Sequence, residues 1–138
     1  MGGFQLWANL PAAHKMTEPH YCGILAAQIP VQEAPGVRVR VICGQVGAAV
    51  GPARGVAIDP EYLDVELEPG ARWEHPTPPD HTAFAYLVAG SAALSPGSDL
   101  TDAGSGTLVL FGDGAAVAAT AGPSGARFLL IGGKPLRE

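Results

Sequence analysis

Apolar and polar residues alternate along much of this chain with the period of two that an extended strand imposes. The clearest run is Tyr62 to Leu67. Leu63, Val65 and Leu67 take the core side, and Asp64 and Glu66 the solvent side. Val37 to Ile42 repeats the pattern, with the valines predicted inward and Arg38 and Arg40 outward. Near the N-terminus, Phe4, Leu6, Ala8 and Leu10 share one face, and Gln5, Trp7 and Asn9 the other. This predicts another strand, which Pro11 ends because it has no N–H to donate. His14, Lys15 and Met16 follow in a polar connection. Residues Ile24 to Val31 read either as a helical turn or as an extended segment, since Pro30 disfavours a long helix.

Gly44 to Gly55 is small and glycine-rich and predicts a loop with one short strand. Pro69-Gly70 is a turn signal. Phe84 to Val88 predicts an apolar strand that stops at Gly90, and Thr107 to Phe111 another. Gly112-Asp113-Gly114 predicts a tight hairpin into a weak strand over Ala115 to Ala121. Gly122-Pro123-Ser124-Gly125 predicts a reversal, Ala126 to Ile131 the last strand, and Gly132-Gly133 its end. The pattern amounts to about eight or nine strands, with no long helix and no internal repeat.

Composition agrees with that reading. A chain of 138 residues is one domain by size, and its 47% hydrophobic content supports a core. The 19 glycines and 13 prolines are scattered, as many short elements and many turns require, which predicts an all-β sandwich or barrel. A formal charge of −5 with dispersed basic residues argues against direct binding to nucleic acid or to anionic membranes. No apolar run approaches the ~20 residues that span a bilayer. No basic-then-apolar stretch reads as a signal peptide. Cys22 and Cys43 have no metal-finger or C-x-x-C spacing and read as free thiols. The expected compartment is the cytoplasm.

Few residues suggest chemistry. There is no Walker loop, and Gly104-Ser105-Gly106 and Gly122-Pro123-Ser124-Gly125 are turns rather than a nucleophile elbow. Asp64, Glu66 and Glu68 share one side of their strand and read as a solvated outer face. Cys43 has no base to activate it. His14 and His20 fall in the N-terminal connection, where a surface position is expected.

Taken together, several blocks resemble the second half of the pirins. They are Gly3-Phe4-Gln5-Leu6-Trp7-Ala8-Asn9-Leu10-Pro11 with Lys15-Met16, then Tyr62 to Val65 with Leu67 to Ala71. Phe84-Ala85-Tyr86 with Gly90, Leu110 to Gly114, and Arg127 to Leu136 complete the match. The resemblance implies a single cupin-type (RmlC-like) β-barrel or jelly roll over residues 1–138. Residues 1–20 would form an N-terminal strand and connection, and 21–138 the barrel. Pirins are two-cupin proteins whose N-terminal cupin holds iron through three histidines and a glutamate. Members are linked to quercetin 2,3-dioxygenase activity and to transcriptional regulation. The resemblance covers the second cupin only and stops short of the family's usual C-terminal continuation.

A cupin metal site takes an H-x-H pair from one strand and further ligands from its neighbours. In the metal-binding half of the family the pair lies fourteen and twelve residues before the strand-ending glycine. Counted back from Gly90, those positions are Pro76 and Pro78, which cannot ligate through a side chain. The stretch Ala115 to Ala121 offers only Thr120 as a polar side chain. His75 and His81, with Glu74, are the residues from which a rearranged site would have to be built. The expectation is therefore a non-catalytic, metal-free binding or assembly module with no cofactor. The alternative is a dioxygenase of the quercetin type using iron or another transition metal in a rearranged or partner-supplied site. Phe4 and Trp7 are the expected interface, in a homodimer or against a partner cupin. Phe84 and Tyr86 are the candidates to touch a ligand in the barrel.

Overall fold

The computed structural model describes residues 3–55, 57–95 and 101–138. Its strands are β1 Val31–Ala34, β2 Val37–Cys43, β3 Gln45–Val46, β4 Ala49–Val50 and β5 Glu61–Leu67. They continue with β6 Arg72–Pro76, β7 Thr82–Ser95, β8 Thr101–Gly104, β9 Leu108–Leu110 and β10 Ala116–Gly133. Two short 3-10 turns, Ala12–His14 and Ala26–Gln28, are the only helical elements among the described residues. The segment that read ambiguously from Ile24 thus holds one helical turn before β1.

Eight strands form one antiparallel ladder in the order β1-β2-β5-β10-β7-β8, with β6 also on β10 and β9 also on β7. The inward rows are the ones the alternation predicts. Val37, Val39 and Val41 stand opposite Leu67, Val65 and Leu63, and Phe128 and Leu130 stand opposite Val65 and Leu63 on the other side. These side chains, with Ala85, Leu87, Leu94, Val117 and Ala119, fill the barrel interior. The interior of this all-β barrel is therefore apolar through its middle.

The closure of the barrel depends on two long strands bending in step. The sequence predicts a strand ending at Gly90 and a reversal over residues 122–125, but both strands run straight through. β10 pairs with β6 through Ala116 to Thr120 and with β5 through Ala126 to Gly132. Its register against β7 shifts between Ala121 and Ala126, with Gly90 placed opposite Ala126. Gly90 and Gly125 have φ of +69° and +75°, so both adopt a left-handed backbone that glycine tolerates. The glycines make a corner in a continuous ladder and do not break it.

Other expectations also change. Residues Phe4 to Leu10 join no ladder and are exposed. Alternation aims side chains, but a strand also needs a partner for its N–H and C=O groups. Gly112-Asp113-Gly114 is not a hairpin turn. β9 pairs with β7, and the chain then crosses to β6, where Ala116 stands opposite Pro76. Gly44 to Gly55 holds two short strands, β3 and β4, paired with each other.

Asp64 was expected in water and is instead 7% exposed. Arg127 donates Nε–H to Oδ1 at 2.9 Å and Nη2–H to Oδ2 at 2.8 Å. Arg40 reaches Asp64 Oδ2 at 3.3 Å and Glu66 Oε1 at 2.7 Å. Two long arginine stems from β2 and β10 thus lie over the carboxylate and exclude water from it. The Asp64 hydrogen bond, with the charges of Asp64 and Glu66, raises the Arg127 pKa against a smaller effect of burial. Asp64→Asn is expected to lower unfolding free energy by about 2 kcal/mol, the usual worth of hydrogen bonds to a charged group. Urea unfolding of the two proteins measures it, and a loss under half that would show the pairs to be solvated.

Candidate functional site

The inward rows of neighbouring strands change character at one end of the barrel. Val37, Val39 and Val41 are followed by Cys43, and Leu67, Val65 and Leu63 lead to Glu61. On β6 the inward residues are Trp73 and His75, with Arg72, Glu74 and Pro76 on the exposed side. The inward rows of β2, β5 and β6 therefore end in a thiol, a carboxylate and an imidazole. His81, just before β7, joins them in lining a cleft of about 450 Å³ with Gly44, Gly51, Arg54, Asp59, Pro76 and Pro78.

His75 is held on two sides. Its ring stacks on the Trp73 indole, centroids 5.4 Å apart and planes within 4°. Its Nε2 meets Glu61 Oε1 at 2.7 Å. The side chains of His75 and Glu61 are only 6% and 17% exposed, so each supplies the polar partner the other needs at that depth. Trp73 in turn rests on Phe128 of the core, ring centroids 5.9 Å apart.

Cys43 Sγ lies 3.1 Å from the carbonyl oxygens of both Ala53 and Pro60. Burial pushes its thiol pKa up, and the Asp59 and Glu61 carboxylates add to that against a smaller opposing hydrogen bond from Gly44. The fold therefore favours the protonated thiol. Its contribution is complete below the ordinary thiol pKa of about 8.5 and declines as pH rises past it. A colorimetric thiol reagent at mildly alkaline pH is expected to titrate exposed Cys22 at once. Cys43 should react on the order of 100-fold more slowly until the chain is denatured. Equal rates for the two would contradict the burial described here.

The structure brings together only part of the sequence-predicted set. His75, on β6, and His81 share the cleft. Glu74 points to the opposite side of β6 and does not join them. The carboxylate beside His75 is Glu61. One more step of the same alternation, from Leu63 back to position 61, identifies it; the clean apolar-polar pattern in the sequence starts only at Tyr62. Among the described residues no group of three or more His, Cys, Asp or Glu side chains is placed to hold a metal ion. The strand facing His75 and Trp73 supplies Val117 and Ala119, which carry no donor atoms. These residues do not fit a cupin metal set.

Phe84 and Tyr86 do not line the interior. Ala83, Ala85 and Leu87 face the core, so the two aromatic residues stand on the outer side of β7. There Tyr86 pairs across the strand with Leu108, and Phe84 with Leu110. Phe4 packs edge-on against the Tyr86 ring at 5.4 Å. The outer apolar surface thus includes Phe4 at 57% exposure, Leu108 at 57% and Leu110 at 66%, and Trp7, in the same N-terminal segment as Phe4, is 86% exposed. Ala12 N–H, just past this segment, donates to the Glu138 carboxylate at 3.0 and 3.1 Å. His14 and His20 are exposed.

Comparison with known proteins agrees with this geometry. Residues 62–138 match the family described as the pirin C-terminal cupin domain. A pirin-like protein of Caulobacter vibrioides is 40% identical over 141 residues, covering 100% of this chain and 49% of its own. The crystal structure of GK1651 from Geobacillus kaustophilus superposes with a TM-score of 0.83 at 28% identity, over 96% of this chain and 53% of the other. A quercetin 2,3-dioxygenase from Acinetobacter baumannii gives 0.83 at 27% identity, over 96% and 45%. The chain spans about half the length of the curated relatives it matches.

Proposed function

This chain belongs to the pirin family through its C-terminal cupin domain, and on that premise we propose that it is a non-catalytic assembly module that seats against a second cupin domain. In a solution of this chain alone, that domain is a second copy of itself. The observation that carries the reading is the outer apolar surface built from Phe4, Leu108 and Leu110 around Tyr86, with the exposed Trp7 three residues beyond Phe4 in the chain. Large apolar side chains grouped in this way are the usual mark of an interface. The relatives, about twice as long, contain enough further chain for a second domain of this size. In this reading Phe4 and Trp7 are interface residues. Phe84 and Tyr86 pass from ligand contacts to its underlying support.

Sedimentation of the purified chain over a concentration series tests this reading. We expect a reversible dimer whose dissociation constant rises at least about tenfold, or 1.4 kcal/mol, in Leu108→Lys. Leu108 lies outside the packed core, so folding should be unaffected. A strict monomer at every concentration, or a dimer indifferent to the substitution, would overturn it.

A second reading is supported by the likeness to the Acinetobacter dioxygenase. In it the chain contributes to oxidation of a flavonoid such as quercetin, with a transition metal held by a partner cupin. An activity assay with a metal-loaded partner cupin separates the two readings. Quercetin oxidation that requires both chains would favour the dioxygenase.

A further inference from the structure

We propose that the polar barrel mouth binds a small polyhydroxylated carboxylate, of the sugar-acid or hydroxy-acid class. This stands apart from the pairing reading, which uses the outer face and would survive its failure.

The cleft is lined at its floor by the His75–Glu61 pair and at its rim by Arg54. Valine or leucine at position 61 would continue the row Leu67, Val65, Leu63 and extend the dry core. A carboxylate there, 17% exposed, is costly to bury, and among the described residues its partner is His75, on Oε1. Its second oxygen, Oε2, remains to accept a hydrogen bond. An aliphatic hydroxyl suits this floor because it can donate to a carboxylate oxygen.

The rim supplies the opposite charge. Arg54 donates Nε–H to Gly51 O at 3.2 Å, which orients the guanidinium and leaves its terminal amino groups unspent. Among the described residues it has no ion-pair partner. Such a fork matches a carboxylate. The loop that carries it is fixed by a close approach. A Cβ on Gly51 would lie 2.7 Å from the Ile42 carbonyl and 2.8 Å from Cys43 Cα, so only glycine lets this loop lie against β2.

The same walls argue against other ligands. Asp59 and Glu61 both line the cleft, which disfavours a polyanion such as a phosphate ester. Among the described residues a bare cation finds no three-ligand set. A volume of about 450 Å³ is within the usual range for small-molecule pockets, roughly 300–1,000 Å³, and is too small for a folded partner.

Gluconate, sorbitol and acetate titrated into the full chain, followed by amide NMR, test the proposal. Gluconate should shift the amides of Gly44, Gly51 and Gly55. Sorbitol, without the carboxylate, and acetate, without the hydroxyls, should each bind at least about tenfold more weakly. Arg54→Gln, at an exposed position, should abolish the preference for gluconate over sorbitol while leaving the fold intact. Glu61→Gln should weaken both. No gluconate shifts in the cleft, shifts that map elsewhere, or an Arg54→Gln protein that still prefers gluconate would each overturn it.

Discussion

Phe128→Ala is expected to cost about 4 kcal/mol of unfolding free energy, as truncating a fully buried aromatic residue does. Phe128 is the largest of the fully buried side chains, at 0% exposure. It stands between Val65 of β5 and Leu87 of β7. Removing the ring leaves a void where those two strands meet β10. A domain of this size has roughly 5–15 kcal/mol of stability in all, so the variant should be close to unfolding at physiological temperature. The urea midpoint should fall with little change in slope if the native packing otherwise persists. Phe128 also supports Trp73, on which His75 stacks. The cleft should therefore lose order before the rest of the barrel, visible as early broadening of the His75 ring signals. Phe128→Leu, which keeps most of the volume, should recover more than half of the loss. A cost under about 2 kcal/mol for the alanine variant would mean that the core relaxes around the gap.

Gly90→Ala is expected to be nearly as damaging, for a different reason. A Cβ at position 90 would run into the carbonyl of Gly125, and the residue has φ of +69°. The left-handed backbone alone costs an alanine about 1–2 kcal/mol. Displacing the backbone of β10 at the corner adds to this, for a total of about 3 kcal/mol. Gly106 provides the control. Its φ is +84°, and nothing lies within 4 Å of its would-be Cβ. Gly106→Ala should therefore show the conformational cost without the collision. Equal unfolding midpoints for the two variants would remove the corner from this account of how the barrel closes.

These two residues also show what can be read from a sequence. Phe128 belongs to an alternating row, and rows such as Val37-Val39-Val41 and Leu63-Val65-Leu67 announce their inward faces because water punishes the other choice. Gly90 carries no such sign. A glycine between apolar stretches can end a strand or bend it, and the choice rests on Gly125, far away in the chain. The same holds for residues 122–125, which bulge because β5 and β6 pair with successive halves of one strand.

The candidate site was legible in part. The lack of donors in the Ala115 to Ala121 stretch could be read directly, but the resemblance set the ligand pair at Pro76 and Pro78, whereas β6 turns Pro76 to its exposed side and His75 inward. The inward placement of Trp73 and His75 could not, because Arg72 to Pro76 shows no clean alternation of apolar and polar types. Phe84 and Tyr86 were equally ambiguous, since Ala83 and Ala85 are apolar too. Small residues face the crowded interior there, and the large rings are left outside. Asp64 misled for an electrostatic reason. Its pattern is that of a solvated carboxylate, and only the register of Arg40 and Arg127 reveals the burial.

The most direct test of the assembly reading is the fluorescence of Trp7 in a Trp73→Phe chain, recorded as the protein is concentrated. Trp7 is 86% exposed in the single chain. The account predicts a blue shift and loss of quenching by iodide as copies pair over the outer face. An emission that stays red and fully quenchable at every concentration would contradict it.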